Sequence, residues 1–546
     1  MAMSASVLSA LPSPDEEKTF RFGAFPVQDA EEKARPRYVR QLSDNEVAYF
    51  LPSRADGVND MCIQLRVRAP LRLMHRERVS LVWAILRMRH PLLASRIEMH
   101  DYDDIRLIYE PPTSPDDAVR DAEERMGWGY GTMDEVIDSC LNGPRVLASD
   151  RVSYLSVSRA PTQEPYPSPP QTPSLSSVGQ SAFQAVGVEK HEFQVLLTAL
   201  HCLGDGMAMH TMANDFFSMV GGSMSDNELR AYMAAEWEKR VEQPMANGAD
   251  LLPPCLEDSL PEDKGKITRA AARVDYDRVL AKQIGGHTLP RRQNPSRHIA
   301  IGKHTFDADM TKSMLKKCKL QNVSFAGAMF AACNISWARM TSREQQALPL
   351  MIYSAMNVRP FLRPRAHDSY MFLALGYFNI VLPSFIGQDE AKTFWHRARS
   401  VKDQISKAQK TPMLIPRIRE MTRRRAAQSR IWGREDDEKE AGNWVPPPSR
   451  PVSNAPAPPR APSTVLCGLS MLGNLDTMYT YGQYPDIEVV ALNNGPRLRG
   501  NGALMFAYTF LGKTTVHFYY DEGAIEPKAL TTFWDGMLSA VQEFMA

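Results

Sequence analysis

Within six residues, the stretch His201-Cys202-Leu203-Gly204-Asp205-Gly206 sets one imidazole, one carboxylate and two glycines. An imidazole titrates near neutrality, so it can take a proton from a hydroxyl and hand it on, which is the task of a general base. A neighbouring carboxylate can organise the charge around it. The apolar run from Glu192 to Leu200 reads as a buried strand, and Met207 to Val220 as the helix that follows. His201 is thus expected at a strand end, in a tight loop where Gly204 and Gly206 permit positive φ and close backbone approach. By itself, His-x-x-x-Asp-Gly also describes a hydrogen-bonded core histidine. The strand before it, the glycines inside it and the helix after it favour the catalytic reading.

Other chemistries fit less well. Cys202 could be a nucleophile, but neighbours on a strand point to opposite sides, so it is expected in the core. His201, His210 and Asp205 could be drawn as a metal site, yet no third well-spaced ligand cluster exists and His210 falls in the following helix, so no metal is expected. Gly468-Leu-Ser470-Met-Leu-Gly473 is one residue longer than a hydrolase nucleophile elbow and lacks a convincing helix behind it. A serine-type hydrolase or esterase remains the enzymatic alternative. No Gly-rich phosphate loop is present. The 29 methionines suit adaptable packing, with an apolar acyl pocket as a further use.

The elements that must position these groups alternate between strand and helix. Met61 to Arg68 alternates as a half-buried strand, and Arg78 to Arg89 carries Val79, Val82, Trp83 and Leu86 on one helical face, ended by Pro91. Ser324 caps a small-residue helix through Trp337. Strands follow at 348–356, around Gly376, and at 464–469, 487–491, 505–511 and 513–520, with helices at 390–408 and 526–544. This is α/β texture with mixed sheets, split about residue 290. It gives an N-terminal extension (1–40), a first half (41–290) carrying the histidine loop, and a second half (291–546). Residues 225–298 suit a connection between the halves. Two segments read as disordered insertions: the Pro/Ser-rich 161–180, and 421–464, where Arg423-Arg-Arg425 meets Glu435-Asp-Asp-Glu438 and a Pro/Ala-rich tail.

Composition bounds the function. The 546 residues are 43% hydrophobic and 23% charged, ordinary for a globular chain, and 64 Lys plus Arg nearly cancel 63 Asp plus Glu. Without a global field, nucleic acid and membrane surfaces are not expected partners; small molecules are. Seven scattered cysteines form no Cys-x-x-Cys pair, so neither a zinc site nor a disulfide framework is indicated, and a reducing compartment fits. The N-terminus lacks signal-peptide character, and the greasy run from Met371 to Pro383 is too short to span a bilayer and reads as buried strands. A cytoplasmic monomer without membrane insertion is expected.

Four segments, in order, resemble the CoA-dependent acyltransferase superfamily. This group includes the plant BAHD enzymes, fungal trichothecene O-acetyltransferases, carnitine and chloramphenicol acyltransferases, and peptide-synthetase condensation domains. The passage from Trp83 to Ile97, with His90-Pro91-Leu-Leu, resembles the early helix–His-Pro–strand passage. The histidine stretch resembles the His-x-x-x-Asp-Gly signature, Asn357-Val-Arg359-Pro360 the later Arg-Pro segment, and Ser470-Met-Leu-Gly473-Asn474 a Ser/Asn/Gly-rich segment near the tunnel. The BAHD Asp-Phe-Gly-Trp-Gly run is absent, and Leu200 stands where condensation domains have a first histidine. The chain is therefore closest in character to fungal stand-alone O-acyltransferases.

The resemblance implies two chloramphenicol-acetyltransferase-like domains, with mixed β-sheets flanked by helices and an active-site tunnel between them. It implies His201 as the base that deprotonates an acceptor hydroxyl while acyl-CoA, most often acetyl-CoA, is the co-substrate; no cofactor is bound and no covalent acyl-enzyme forms. Asp205 pairs with an arginine, for which Arg359 is the first candidate and Arg96 the second. Gly206 leaves room for backbone or substrate. Ser470 and Asn474 are candidate oxyanion or substrate donors, and equally readable as turn residues. The acceptor is a hydroxyl on a terpenoid, polyketide or glycolipid. A non-catalytic small-molecule binder of the same fold is the alternative outside enzymes.

Overall fold

The long apolar runs become the strands of two mixed sheets in the computed structural model, which describes residues 36–160, 189–242, 251–261, 265–292, 296–363, 367–446 and 462–546. In the five-stranded sheet, Met61–Ala69, His191–Ala199 and Ser153–Arg159 run antiparallel, and Met126–Tyr130 joins parallel to Ser153–Arg159. Its other edge is Glu488–Pro496, a strand from the far end of the sequence, antiparallel to Met61–Ala69. The helices Arg76–Arg89 and Gly206–Val220 bury Val79, Val82, Trp83, Met209 and Phe216 against this sheet. His191–Ala199 is buried without a break from Phe193 on, which is why its sequence is a continuous apolar run instead of an alternation.

The six-stranded sheet runs in the order Leu375–Leu382, Leu350–Asn357, Gly468–Asn474, Ala503–Phe510, Lys513–Asp521, Ile299–Thr305. Gly468–Asn474 is parallel to both neighbours and the other pairings are antiparallel. The helices Phe325–Met340, Glu390–Lys410 and Pro527–Met545 supply its core. Ser324 does cap the first of them, accepting from the Gly327 amide at 3.1 Å. The run from Met371 is buried through Ala374 and leads into the strand Leu375–Leu382. Among the described residues no helix is long and apolar enough to cross a membrane.

One expectation is corrected. Residues 421–440, read above as the start of a solvated insertion, belong to a 27-residue helix, Leu414–Glu440. Leu414, Ile418, Met421, Ala426, Ser429 and Gly433 recur at helical spacing and are buried. Much of this row lies on the helix Asp44–Ser53. Gly433 sits where a Cβ would already touch Leu51, and Ser429 Oγ donates to Ala48 O at 3.2 Å. Most of the charges that suggested a loop lie on the helix's outer and flanking faces, Arg425 excepted. Arg423 and Arg424 share Glu420, Arg430 reaches Asp44 and Asp103, and Arg54 reaches Asp437. Ion pairs open to solvent at one end contribute little each, so the buried row decides the structure. The segment 161–180, residues 1–35 and residues 447–461 lie outside the described residues.

Candidate active site

The strand His191–Ala199 ends at Leu200, and the chain tightens into one 3-10 turn, His201–Leu203, before the helix Gly206–Val220 begins. This differs from the glycine loop expected. Gly204 is extended at φ −178°, and neither Gly204 nor Gly206 has positive φ. A Cβ at Gly204 would lie 3.0 Å from Met371 Cε, a tight contact that the end of the methionine side chain would have to relieve. Gly206 opens the helix beside the cavity, with only Leu472 near its Cβ position.

His201 Nδ1 lies 2.9 Å from Gly204 O. The partner is a carbonyl, which can only accept, so Nδ1 carries the hydrogen and Nε2 is left as the basic nitrogen. The Tyr49 ring from the helix Asp44–Ser53 packs on the imidazole at 4.3 Å. Burial is the main influence on His201 and pulls its pKa below the ordinary value; the nearby Arg425 charge acts in the same direction, while Asp205 opposes both. The imidazole is therefore neutral at pH 7, as a proton acceptor must be.

Asp205 is wholly buried and spends both oxygens on structure. Oδ1 accepts from the Met207 and Ala208 amides at 3.1 and 3.2 Å and so caps the helix. Oδ2 accepts from Arg359 Nη1 at 2.7 Å and from the Ala374 amide at 3.0 Å. Arg359 in turn donates to Phe372 O at 2.9 Å and lies over the Phe372 ring. Arg96 is elsewhere, paired with Glu98 and Glu110. The carboxylate thus fastens the histidine turn, which belongs to the first sheet, to the connection between two strands of the second.

His201, Gly206 and Ser470 line one cavity of about 190 Å³, walled by Met61 and Ile63 of the first sheet and by Tyr353, Tyr377 and Phe506 of the second. Asn474 is not brought there. It is exposed and accepts from the Asp476 amide, starting a short 3-10 turn. Cys202 is buried away from the cavity, and burial pushes its thiol well up, so no thiolate forms. His210 is also in the wall, 2.8 Å from Tyr479 Oη, and burial pulls its pKa down to about 3. Among the described residues no three His, Cys, Asp or Glu side chains group as metal ligands.

Four residues that sequence reasoning did not single out, Tyr49, Asn59, Tyr353 and Tyr377, form a wall shared with a second cavity of about 710 Å³. The Tyr49 and Tyr377 hydroxyls hydrogen-bond each other, and Arg425 lies over both rings at 4.9 and 4.5 Å. No local spacing signals this group, because its members come from residues 49, 377 and 425.

No family model and no curated protein sequence matches the chain. Solved structures do match its fold. The TRI3 trichothecene 15-O-acetyltransferase from Fusarium sporotrichioides superposes with a TM-score of 0.68 at 12% identity, covering 93% of this chain and 96% of that one. Polyketide synthase associated protein 5 from Mycobacterium tuberculosis gives 0.52 at 12% identity, covering 93% and 100%. The condensation domain from the monacolin K polyketide synthase MokA gives 0.51 at 11% identity, covering 93% and 97%. The chain has the two-lobed, chloramphenicol-acetyltransferase-like fold that this acetyltransferase and this condensation domain share.

Proposed function

We propose that this chain is an acyl-CoA-dependent O-acyltransferase, moving an acetyl or other acyl group to a hydroxyl of a small secondary metabolite of terpenoid, polyketide or glycolipid type. The observation that carries this reading is a neutral imidazole with a fixed tautomer, set in a cavity walled by both sheets. The fold, shared with an acetyltransferase, supports it. The acceptor oxygen attacks the thioester carbonyl carbon while His201 Nε2 takes its proton. The tetrahedral oxyanion then collapses, the C–S bond breaks, and the CoA sulfur leaves with the proton held by His201. No covalent acyl-enzyme is required, because both substrates are held together and the base acts on their encounter. Ser470, in the cavity wall, is the candidate donor to the oxyanion. Asp205 and Arg359 hold the turn that carries the imidazole. The enzyme works as a cytoplasmic monomer with no resident cofactor, acyl-CoA being a substrate.

The test is CoA-thiol release from acetyl-CoA against a panel of hydroxylated metabolites. His201→Ala is expected to lower kcat by about 10²–10⁴ with the fold retained. Equal release by wild type and variant would remove the reading. Release that needs His201 but no acceptor would point to a thioester hydrolase.

A further inference from the structure

Arg425 stands apart from the other arginines of the helix Leu414–Glu440. Arg417 pairs with Asp275, Arg423 and Arg424 with Glu420, Arg430 with Asp44 and Asp103, and Arg434 with Asp103. Arg419 donates to Leu260 O and Pro261 O. Among the described residues Arg425 has no carboxylate partner: the Tyr49 and Tyr377 hydroxyls are its polar neighbours, and its Nη1 is buried without a hydrogen bond. It lies deep in the wall of the wide cavity, between Tyr49 and Tyr377. Two aromatic faces compensate part of the desolvation of a cation, yet a buried guanidinium normally holds an anion in its fork. The described wall of that cavity contains Lys282, Lys407, Arg417 and Arg425 but no Asp or Glu.

The geometry points to Arg425 as the binding group for a carboxylate carried by one of the reacting partners, close to the bond that is made. This inference rests on the acyl-transfer reading for the identity of those partners. His201 and Arg425 both pack on the Tyr49 ring, at 4.3 and 4.9 Å. Tyr49 is thus the common neighbour of the base in the narrow cavity and of Arg425 in the wide one, and a molecule that reaches both passes the wall the two cavities share. The phosphates of CoA are separated from its sulfur by the whole pantetheine arm, so they do not reach Arg425 while the thioester is at His201. The anion belongs instead to a hydroxy-acid acceptor, or to the far end of a dicarboxylic acyl group. In both cases the bonds exchanged are those written above, and the carboxylate is a spectator that orients its molecule.

Calorimetric titration of the full chain with matched pairs tests this. One pair is 8-hydroxyoctanoate and 1,8-octanediol; the other is succinyl-CoA and butyryl-CoA. The carboxylate member of one pair is expected to bind about 10- to 100-fold more tightly, the worth of a charge-assisted contact. Preference in the first pair assigns the carboxylate to the acceptor, and in the second to the acyl group. Arg425→Gln is expected to abolish the preference. Arg425→Lys, which keeps the charge without the fork and serves if the glutamine variant does not fold, is expected to reduce it. No preference in either pair, or a preference untouched in both variants, overturns the assignment. Thiol release is read separately. Turnover without carboxylate preference leaves acyl transfer standing and removes the anion site; preference without thiol release does the reverse.

Discussion

Replacing Asp205 by Asn tests the division of labour at the site, because the two carboxylate oxygens are matched to four donors. Oδ1 serves the Met207 and Ala208 amides, and Oδ2 serves Arg359 Nη1 and the Ala374 amide. An amide offers only one oxygen, so its NH2 must face two donors whichever way it turns. The better orientation keeps the oxygen on Arg359 and gives up the helix cap, a loss of about 1 kcal/mol. The buried amides left facing a donor add about 1–3 kcal/mol. Arg359 also loses its counter-charge, although its side chain is 23% exposed and recovers part of that loss from water. The total destabilisation is expected at about 2–5 kcal/mol. It is measured as the shift in urea midpoint followed by tryptophan fluorescence, with thiol release assayed on the same preparations. Arg359→Met alone should destabilise comparably, and the double variant by clearly less than the sum, since the pair shares one contact. An Asp205→Asn protein within about 0.5 kcal/mol of wild type would refute the four-donor argument. If such a stable variant had also lost turnover, Asp205 would belong to the chemistry and not to positioning.

Two further outcomes follow from the same geometry. Ser470→Ala is expected to lower kcat by about 10²–10³ with little change in KM, as loss of an oxyanion donor does, whereas Asn474→Ala, at an exposed turn, leaves both unchanged in steady-state assays; the reverse ranking would displace Ser470. His210 and His517 are buried neutral, each with its pKa pulled down to about 3 by burial. Below the ordinary imidazole range the unfolded chain takes up these protons and the folded chain does not. Stability therefore falls as pH drops from about 6.5 toward 3, by about 1.4 kcal/mol per pH unit per group. His210→Asn should reduce that slope by one proton's worth in urea titrations at stepped pH, and an unchanged slope counts against the burial argument.

The histidine turn was legible because its signals are local: an apolar strand, one imidazole, small residues that allow close packing, and a helix whose N-cap is the aspartate. Arg359 was reachable only through resemblance, since 154 residues separate it from Asp205. The helix Leu414–Glu440 was hidden by its own outer face. Its buried row of small and medium side chains is weakly apolar, while the charges between them dominate the composition. Ser470 and Asn474 look equivalent in the sequence, each readable as a donor or as a turn residue. The pairing register shifts between Met471 and Gly473, where Gly473 takes φ +77°, so Asn474 turns out of the cavity that Ser470 lines. Tyr49, Tyr377 and Arg425 left no trace in the sequence, because their meeting depends on three distant elements packing together.

The strand Glu488–Pro496 makes the two lobes inseparable in a way the order of segments conceals. It leaves the second sheet's run of strands, crosses to lie against Met61–Ala69, and returns to supply Ala503–Phe510. A cut near residue 290 would strip the first lobe of its border and leave the edge of Met61–Ala69 that faces away from His191–Ala199 unpaired and adhesive. The halves are therefore not exchangeable cassettes. Recombination between relatives of this architecture can preserve both lobes only if its crossovers carry this one stitch along with the sheet it closes.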